Sequence, residues 1–239
     1  MTSVASPPPA KPPHKADWAV HAALGAAIIV AGAWLFGGVA PQWLNGRFIA
    51  ALDLRSAQWL HAQLDPVLTR FMVAVSALHG TAGILLLAAG VGAVLWHRRD
   101  RNGLLRLALA VPGGLLLNVA VKQAVHRARP SYFDSPIEML TSFSFPSGHT
   151  AGTVVFYGFV ALYFVDSRFS ATRRATALLA ALGLVALVGA SRIYLGAHYL
   201  SDVLAALLEG CAWLAICLSA PLPHPNPWHH SPSNDRGAP

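Results

Sequence analysis

Charge is what this sequence has least of. Asp, Glu, Lys and Arg together supply 11% of its 239 residues, where a soluble domain carries about 25%. That shortage excludes an ordinary water-soluble globule. Cysteine is nearly absent too: Cys211 and Cys217 share one apolar run on different helix faces, with no disulfide or metal spacing. There is no HExxH motif and no paired carboxylate set, so the usual zinc-hydrolase patterns are missing. A Gly-x-Ser-x-Gly elbow is also missing, which disfavours a serine nucleophile. Apolar and polar residues do not alternate along the hydrophobic runs, which argues against a membrane barrel. The net charge of +7 is scattered over loops and calls for no nucleic acid.

What is present is hydrophobic length. The chain is 55% hydrophobic, with a mean hydropathy of +0.50. Six runs, near 18–40, 79–97, 103–124, 148–166, 173–192 and 199–220, approach the ~20 residues that cross a hydrocarbon core. The expected fold is all-α, a polytopic membrane bundle of six transmembrane helices over residues 17–220, flanked by disordered Pro-rich tails at 1–16 and 221–239. His224, His229 and His230 in the second tail follow no ligand pattern. The first run is read as a retained anchor, because it exceeds a usual leader core and Pro41 follows the candidate cleavage site Gly38-Val-Ala40.

Between the first two runs, Leu52, Ala57, Leu60 and Leu64 interleave with Asp53, Arg55, Gln58 and Gln63 at helical spacing. This predicts an interfacial amphipathic helix with Trp43 and Trp59 at headgroup depth. Asp65-Pro66 then opens a further helix whose run, Val67–Leu78, is short for a span. With the amino terminus in the cytoplasm, that side carries Lys11, Lys15, Arg98, Arg99, Arg101, Arg106, Arg168, Arg173, Arg174 and Arg236. The other side carries Arg47, Arg55, Arg70, Lys122, Arg127, Arg129 and Arg192. The bias places both termini in the cytoplasm.

The rare charges gather in three runs: Lys122–Pro130, Phe145–Thr150 and Ser191–Asp202. On the six-run topology all three lie at span ends on the outer face, so one composite site is expected. Lys122, Arg129 and Arg192 supply three cations, enough to balance a phosphate dianion. Arg127 reads more simply as a positive anchor at a helix end. Pro146-Ser147-Gly148-His149 reads as a loop turning into a helix. Its N–H groups and the Ser147 hydroxyl would meet an anion, and Gly148 would let that anion approach the backbone. His198 and Asp202, spaced i,i+4, are expected on one helix face, the carboxylate orienting the ring. Neutral His198 then suits a nucleophile and protonated His149 a general acid. A metal held by His149, His198 and Asp202 is disfavoured, because three cations would repel it. Glu209, deeper on the face of Asp202, is either functional or a structural partner of Asn118, with the structural reading favoured.

At these residues the chain resembles the type 2 phosphatidic-acid phosphatase family, the lipid phosphate phosphatases. The signature Lys-x6-Arg-Pro, Pro-Ser-Gly-His and Ser-Arg-x5-His-x3-Asp is present in order and without substitution at Lys122–Pro130, Pro146–His149 and Ser191–Asp202. Ala128 stands where many relatives carry proline. The resemblance implies a helical bundle and a cofactor-free, metal-independent reaction through a phosphohistidine. In it His198 is the nucleophile, Asp202 its orienting partner and His149 the acid and then base, while Lys122, Arg129, Ser147, Gly148 and Arg192 cradle the phosphate. The substrate implied is a lipid phosphate such as undecaprenyl diphosphate, phosphatidic acid, phosphatidylglycerol phosphate or lipid A. It would be met at the outer face of a bacterial inner membrane, the bilayer and the lipid being the expected partners. Two alternatives stay open: a vanadate-dependent haloperoxidase using the same cradle, and a catalytically silent lipid-binding or transport protein. Oligomeric state has no signal in the sequence.

Overall fold

In a computed structural model the described residues are 15–37, 47–131, 142–164 and 170–221. Most of both Pro-rich tails, Trp43, the candidate cleavage site and the basic residues Lys11, Arg168 and Arg236 lie outside them. The described residues form helices and no strands. The helices are α1 (Lys15–Phe36), α2 (Arg47–His61), α3 (Pro66–Leu78), α4 (Thr81–His97), α5 (Arg101–Val125), α6 (Gly148–Phe164), α7 (Ala171–Tyr194) and α8 (Leu200–Ser219).

Local chemistry sets several of these boundaries. Asp65 caps α3, its Oδ1 accepting from the N–H groups of Val67 and Leu68, and Pro66 fills the first turn where no N–H is needed. Asp100 caps α5 by accepting from the Gly103 N–H at 2.8 Å. The α7–α8 corner turns at Gly196, whose φ of 67° lies in the left-handed region that favours glycine.

Helix α6 is the hub, packed against α4, α5, α7 and α8, while α1 lies along α8. Ile84 and Leu95 of α4, Ala110 and Val111 of α5, Val155 and Phe159 of α6 and Leu214 of α8 form the buried core. Other leucines and tryptophans point outward: Leu86, Trp96, Leu116 and Leu179 are each at least two-thirds exposed. An apolar perimeter of this kind is stable in lipid, where backbone groups must be paired inside each helix.

Four helices, α1, α5, α7 and α8, are long and apolar enough to cross a membrane, or up to five if α3 and α4, bent by 55° at a short break, count as one span. The chain is therefore a multi-span, all-helical membrane protein, although the expected six spans are not all reached on length. The run at 79–97 qualifies only together with α3, and the described part of the 148–166 run, α6, has 17 residues. Helix α2 occupies the segment read as amphipathic and rests against α7 and α8. It buries Asp53, which amphipathic spacing alone assigns to the polar face.

Candidate active site

The three polar runs meet where α5 ends, α6 begins, α7 ends and α8 begins. Arg192, in the last turn of α7, is 2% exposed. Its Nη1 donates to the Ser76 hydroxyl of α3, while its Nε and Nη2 have no partner among the described residues. Two nitrogens of a buried guanidinium left without acceptors are costly unless a ligand supplies them.

The other two cations are occupied. Lys122 Nζ donates to the carbonyls of Phe143 (3.0 Å), Ser144 (3.4 Å) and Pro146 (2.5 Å). Arg129 donates through Nε to the Ser142 carbonyl (2.8 Å), through Nη1 to the Ala197 carbonyl (2.6 Å) and through Nη2 to the Ser142 hydroxyl (2.9 Å). A phosphate entering here competes with loop 142–146 for these N–H groups. Burial lowers the Arg129 guanidinium from its ordinary value, opposed by the Asp202 charge.

His198 sits in the α7–α8 corner, not on a helix face shared with Asp202, because α8 begins only at Leu200. The corner is held by the N–H groups of Ala197 and His198, which both donate to the Arg192 carbonyl (3.0 and 3.2 Å). Asp202, in the first turn of α8, accepts from the Tyr199 N–H at 2.9 Å, and that bond brings its carboxylate back to the imidazole. The contact of His198 Nδ1 with Asp202 Oδ2 is 3.4 Å, and Nδ1 makes no hydrogen bond of good geometry. It is an electrostatic contact, not a formed hydrogen bond. On the far side of the ring Arg129 Nη1 lies 3.4 Å from Nε2. A guanidinium has only donors, so Nε2 presents its lone pair and Nδ1 carries the proton. Burial pushes His198 down to about 4, with the Arg192 and Lys122 charges adding to the effect and Asp202 opposing it. The ring is neutral at physiological pH.

The Pro-Ser-Gly-His run forms the expected loop-to-helix turn, with one correction. The Ser147 N–H is not open to an anion, because it donates to the Asp202 carbonyl at 3.2 Å. The Ser147 oxygen accepts from the Thr150 hydroxyl at 3.0 Å, which leaves its own O–H free to donate. Gly148 also has a close neighbour in the helix beside it: a Cβ there would lie 3.1 Å from Asn118 Oδ1 and 4.0 Å from Lys122 Cε. His149, in the first turn of α6, has Nε2 beside Gly80 at the α3–α4 break, 3.4 Å from where a Cβ would stand.

Several participants gave no sequence signal as site residues. Asp202 accepts from Ser144 Oγ through Oδ2 and from Arg127 Nη1 through Oδ1 at 2.7 Å. Arg127 is thus bound into the site, not a loose anchor, and it also pairs with Asp53 of α2 at 2.9 Å. Glu209 accepts from Asn118 Nδ2 at 2.8 Å, the polar pair favoured from sequence. Beneath the loop, Ile29, Ala33, Val121, Phe145, Pro146, Ala205 and Glu209 line a cleft with about 170 Å³ of empty space.

Comparison with known proteins agrees with this geometry. The PAP2 superfamily matches residues 103–224, a stretch that includes every motif residue above. Phosphatidylglycerophosphatase B of Bacillus subtilis is 33% identical over 142 residues, 59% of this chain and 68% of that protein. Lipid A 1-phosphatase of Rhizobium johnstonii is 35% identical over 111 residues, 43% of this chain but only 41% of its own length. The crystal structure of a transmembrane PAP2 type phosphatidylglycerolphosphate phosphatase from Bacillus subtilis superposes with a TM-score of 0.69 and 26% identity, over 81% of this chain and 94% of that one. Aquifex aeolicus LpxE, at 23% identity and a TM-score of 0.53 over 70% of this chain and 94% of its own, shares the fold. With more than half its length matched and its polar motifs assembled at one end of the bundle, this chain belongs to the PAP2 superfamily.

Proposed function

We propose that this protein is a membrane lipid phosphate phosphatase that works through a phosphohistidine on His198, without a metal. The observation that carries the reading is Arg192. It is a buried guanidinium whose Nε and Nη2 lack acceptors among the described residues, close enough for its charge to act on His198. A phosphoryl oxygen pair is the acceptor that fits a guanidinium fork. The relatives' names, phosphatidylglycerophosphatase B and lipid A 1-phosphatase, support a lipid phosphate as the substrate class, and phosphatidylglycerol phosphate, lipid A, phosphatidic acid and undecaprenyl diphosphate are the candidates within it.

In the first step the Nε2 lone pair of His198 attacks phosphorus. The N–P bond forms, the P–O bond to the lipid breaks, and the leaving oxygen takes a proton from His149. Asp202, itself ionised and held by three donors, steadies the Nδ1 proton as positive charge grows on the ring. Arg129, Arg192, Lys122 and the Ser147 hydroxyl stabilise charge on the equatorial oxygens. The phosphate brings the negative charge that an imidazolium at His149 pairs with. In the second step His149 takes a proton from water, whose oxygen attacks phosphorus, and the N–P bond breaks to release inorganic phosphate and neutral His198. The proposed topology takes α3–α4 as one span and α6 as another, which brings the count to six; the loop charges then support a site at the outer face of an inner membrane with both termini in the cytoplasm.

The test is phosphate release by purified protein in detergent from a panel of those four lipids, with EDTA present. Release with EDTA, lost in His198→Ala, supports the reading. Activity abolished by EDTA, or kept by His198→Ala, overturns the mechanism.

A further inference from the structure

The motif residues do not account for what holds Asp202. Asp53 comes from α2, is 1% exposed, and lies outside every motif. Its Oδ1 accepts from the Ser201 N–H at 2.8 Å, and its Oδ2 accepts from the Ser201 hydroxyl at 2.7 Å and Arg127 Nη2 at 2.9 Å. Arg127, also outside the signature, turns Nη1 to Asp202 Oδ1 and to Ser201 Oγ, both at 2.7 Å, and to the Phe36 carbonyl at 3.2 Å. Its guanidinium lies 4.2 Å over the Tyr199 ring. One planar cation is therefore fixed on one side by a buried carboxylate of the interfacial helix and on the other by the carboxylate that meets His198. A charge used only as a membrane anchor needs none of these partners.

We infer that Asp53 and Arg127 form a positioning pair that fixes the rotation of Asp202, and so the aim of His198. The pair acts through Asp202 and touches no reacting atom. Arg127 and the Tyr199 N–H occupy lone pairs on both oxygens of Asp202, with Ser144 on Oδ2 as well. The carboxylate cannot swing away from the ring. Asp53 in turn prevents Arg127 from following solvent, and it sits on the positive end of α8. The seating of α2 against α7 and α8 thus becomes a condition for turnover. This inference rests on the phosphohistidine reading above.

The test is steady-state kinetics of full-length protein in detergent on a lipid monophosphate, for wild type, Arg127→Gln, Arg127→Lys, Asp53→Asn and the double variant Asp53→Asn/Arg127→Gln. Arg127→Gln should lower kcat by about 100-fold and leave KM within about threefold. Arg127→Lys, which keeps the charge but not the fork, should recover about tenfold of that loss. Asp53→Asn should cost about tenfold, and the double variant no more than Arg127→Gln alone, because the two act in series.

The pH profile separates positioning from scaffolding. The His198–Asp202 unit is faced by Asp53 of α2, Lys122 of α5, Arg127 and Arg129 after it, His149 of α6 and Arg192 of α7, with Glu209 deeper on α8. Removing the Arg127 charge leaves Asp202 a stronger partner for protonated His198, so the acid limb of kcat/KM should move up by roughly one pH unit. A purely structural role predicts lower thermal stability with an unmoved limb and normal kcat in the folded fraction, and that result overturns the inference. Where Arg127→Gln does not survive purification, Arg127→Lys and Asp53→Asn decide, and kcat within twofold of wild type in both overturns it. Wild type inactive on every lipid overturns the phosphatase reading and the pair together, whereas active wild type with unaffected variants overturns the pair alone.

Discussion

Two arginines, Arg106 and Arg192, are buried equally, at 2% exposed, at opposite ends of the helix bundle. Arg106 gives Nη1 to the carbonyls of Cys217 (3.2 Å) and Leu218 (2.5 Å) and Nη2 to that of Ala220 (3.0 Å). It closes the carboxyl end of α8, where carbonyls lack helical partners and the dipole favours a cation. Among the described residues Arg192 makes one hydrogen bond, to Ser76, and its Nε and Nη2 stay open. The first arginine is spent on the fold, and the second keeps the donors that the proposed function assigns to phosphate. Burial alone does not tell structure from function; the count of satisfied donors does.

The largest way to break this comparison is to delete each arginine. Arg192→Ala should lower phosphate release by about 1000-fold or more, as loss of a charge-stabilising guanidinium does in phosphoryl transfer. Its stability should hold, since few bonds are lost. Arg106→Ala should do the reverse, costing about 2–4 kcal/mol by orphaning three carbonyls, with turnover per folded molecule unchanged. Thermal denaturation in detergent and phosphate release on the same preparations check both. Equal activity losses at the two sites would erase the distinction.

Lysine replacements sharpen it. A lysine has three donors and no fork. At Arg106 it can still reach carbonyls, so Arg106→Lys should cost only about 1 kcal/mol. At Arg192 the proposed function uses the open Nε and Nη2 of the fork, so Arg192→Lys should lose about 10–100-fold in kcat/KM.

Most of the polar site was legible in the sequence, and for a physical reason. Lys122, Arg129, Ser147, His149, Arg192, His198 and Asp202 are polar residues in an apolar chain, and hydropathy puts them all at span ends on one side. Asp53 and Ser76 carried no such mark. Each comes from a helix with enough polar residues to look ordinary, and each meets its partner far along the chain: Asp53 meets Ser201, Ser76 meets Arg192. No spacing rule connects them. The i,i+4 spacing of His198 and Asp202 led to the right contact by the wrong route, since a corner and an N–H bond at Tyr199 bring them together. The α3–α4 bend lay at the boundary where the sequence ended one helix and began a span, but the pairing of the two halves is a tertiary fact.

The pH response gives a smaller contrast between activity and stability. His198 is pushed down to about 4 by burial, from an ordinary value near 6.5. The proposed mechanism needs this ring neutral, so its titration alone should leave kcat/KM level on the acid side to about pH 5 and lower it about tenfold per unit below pH 4. Stability behaves differently. A depressed histidine contributes stability that is complete above the unfolded value and lost as pH falls toward the folded one. Thermal stability should therefore decline from about pH 6.5 to 4 while activity at low temperature holds, a gap that paired melting and rate profiles would measure.

The smallest expected effect lies at Gly148, where packing and ligand approach compete as explanations. A Cβ would meet Asn118 Oδ1 at 3.1 Å, a close contact with an amide that cannot swing freely because its Nδ2 is held by Glu209. Lys122 Cε, at 4.0 Å, would be only touched. Alanine is otherwise well suited to a helix start, and its propensity offsets part of the crowding. Gly148→Ala should thus cost about 1 kcal/mol and lower kcat/KM by about three- to tenfold through a displaced Asn118–Lys122 edge. Adding Asn118→Ala, which removes the crowded oxygen, should return part of the activity if packing is the reason for glycine. If the double variant is no better than Gly148→Ala alone, the phosphate, and not the neighbouring helix, is what excludes a side chain there.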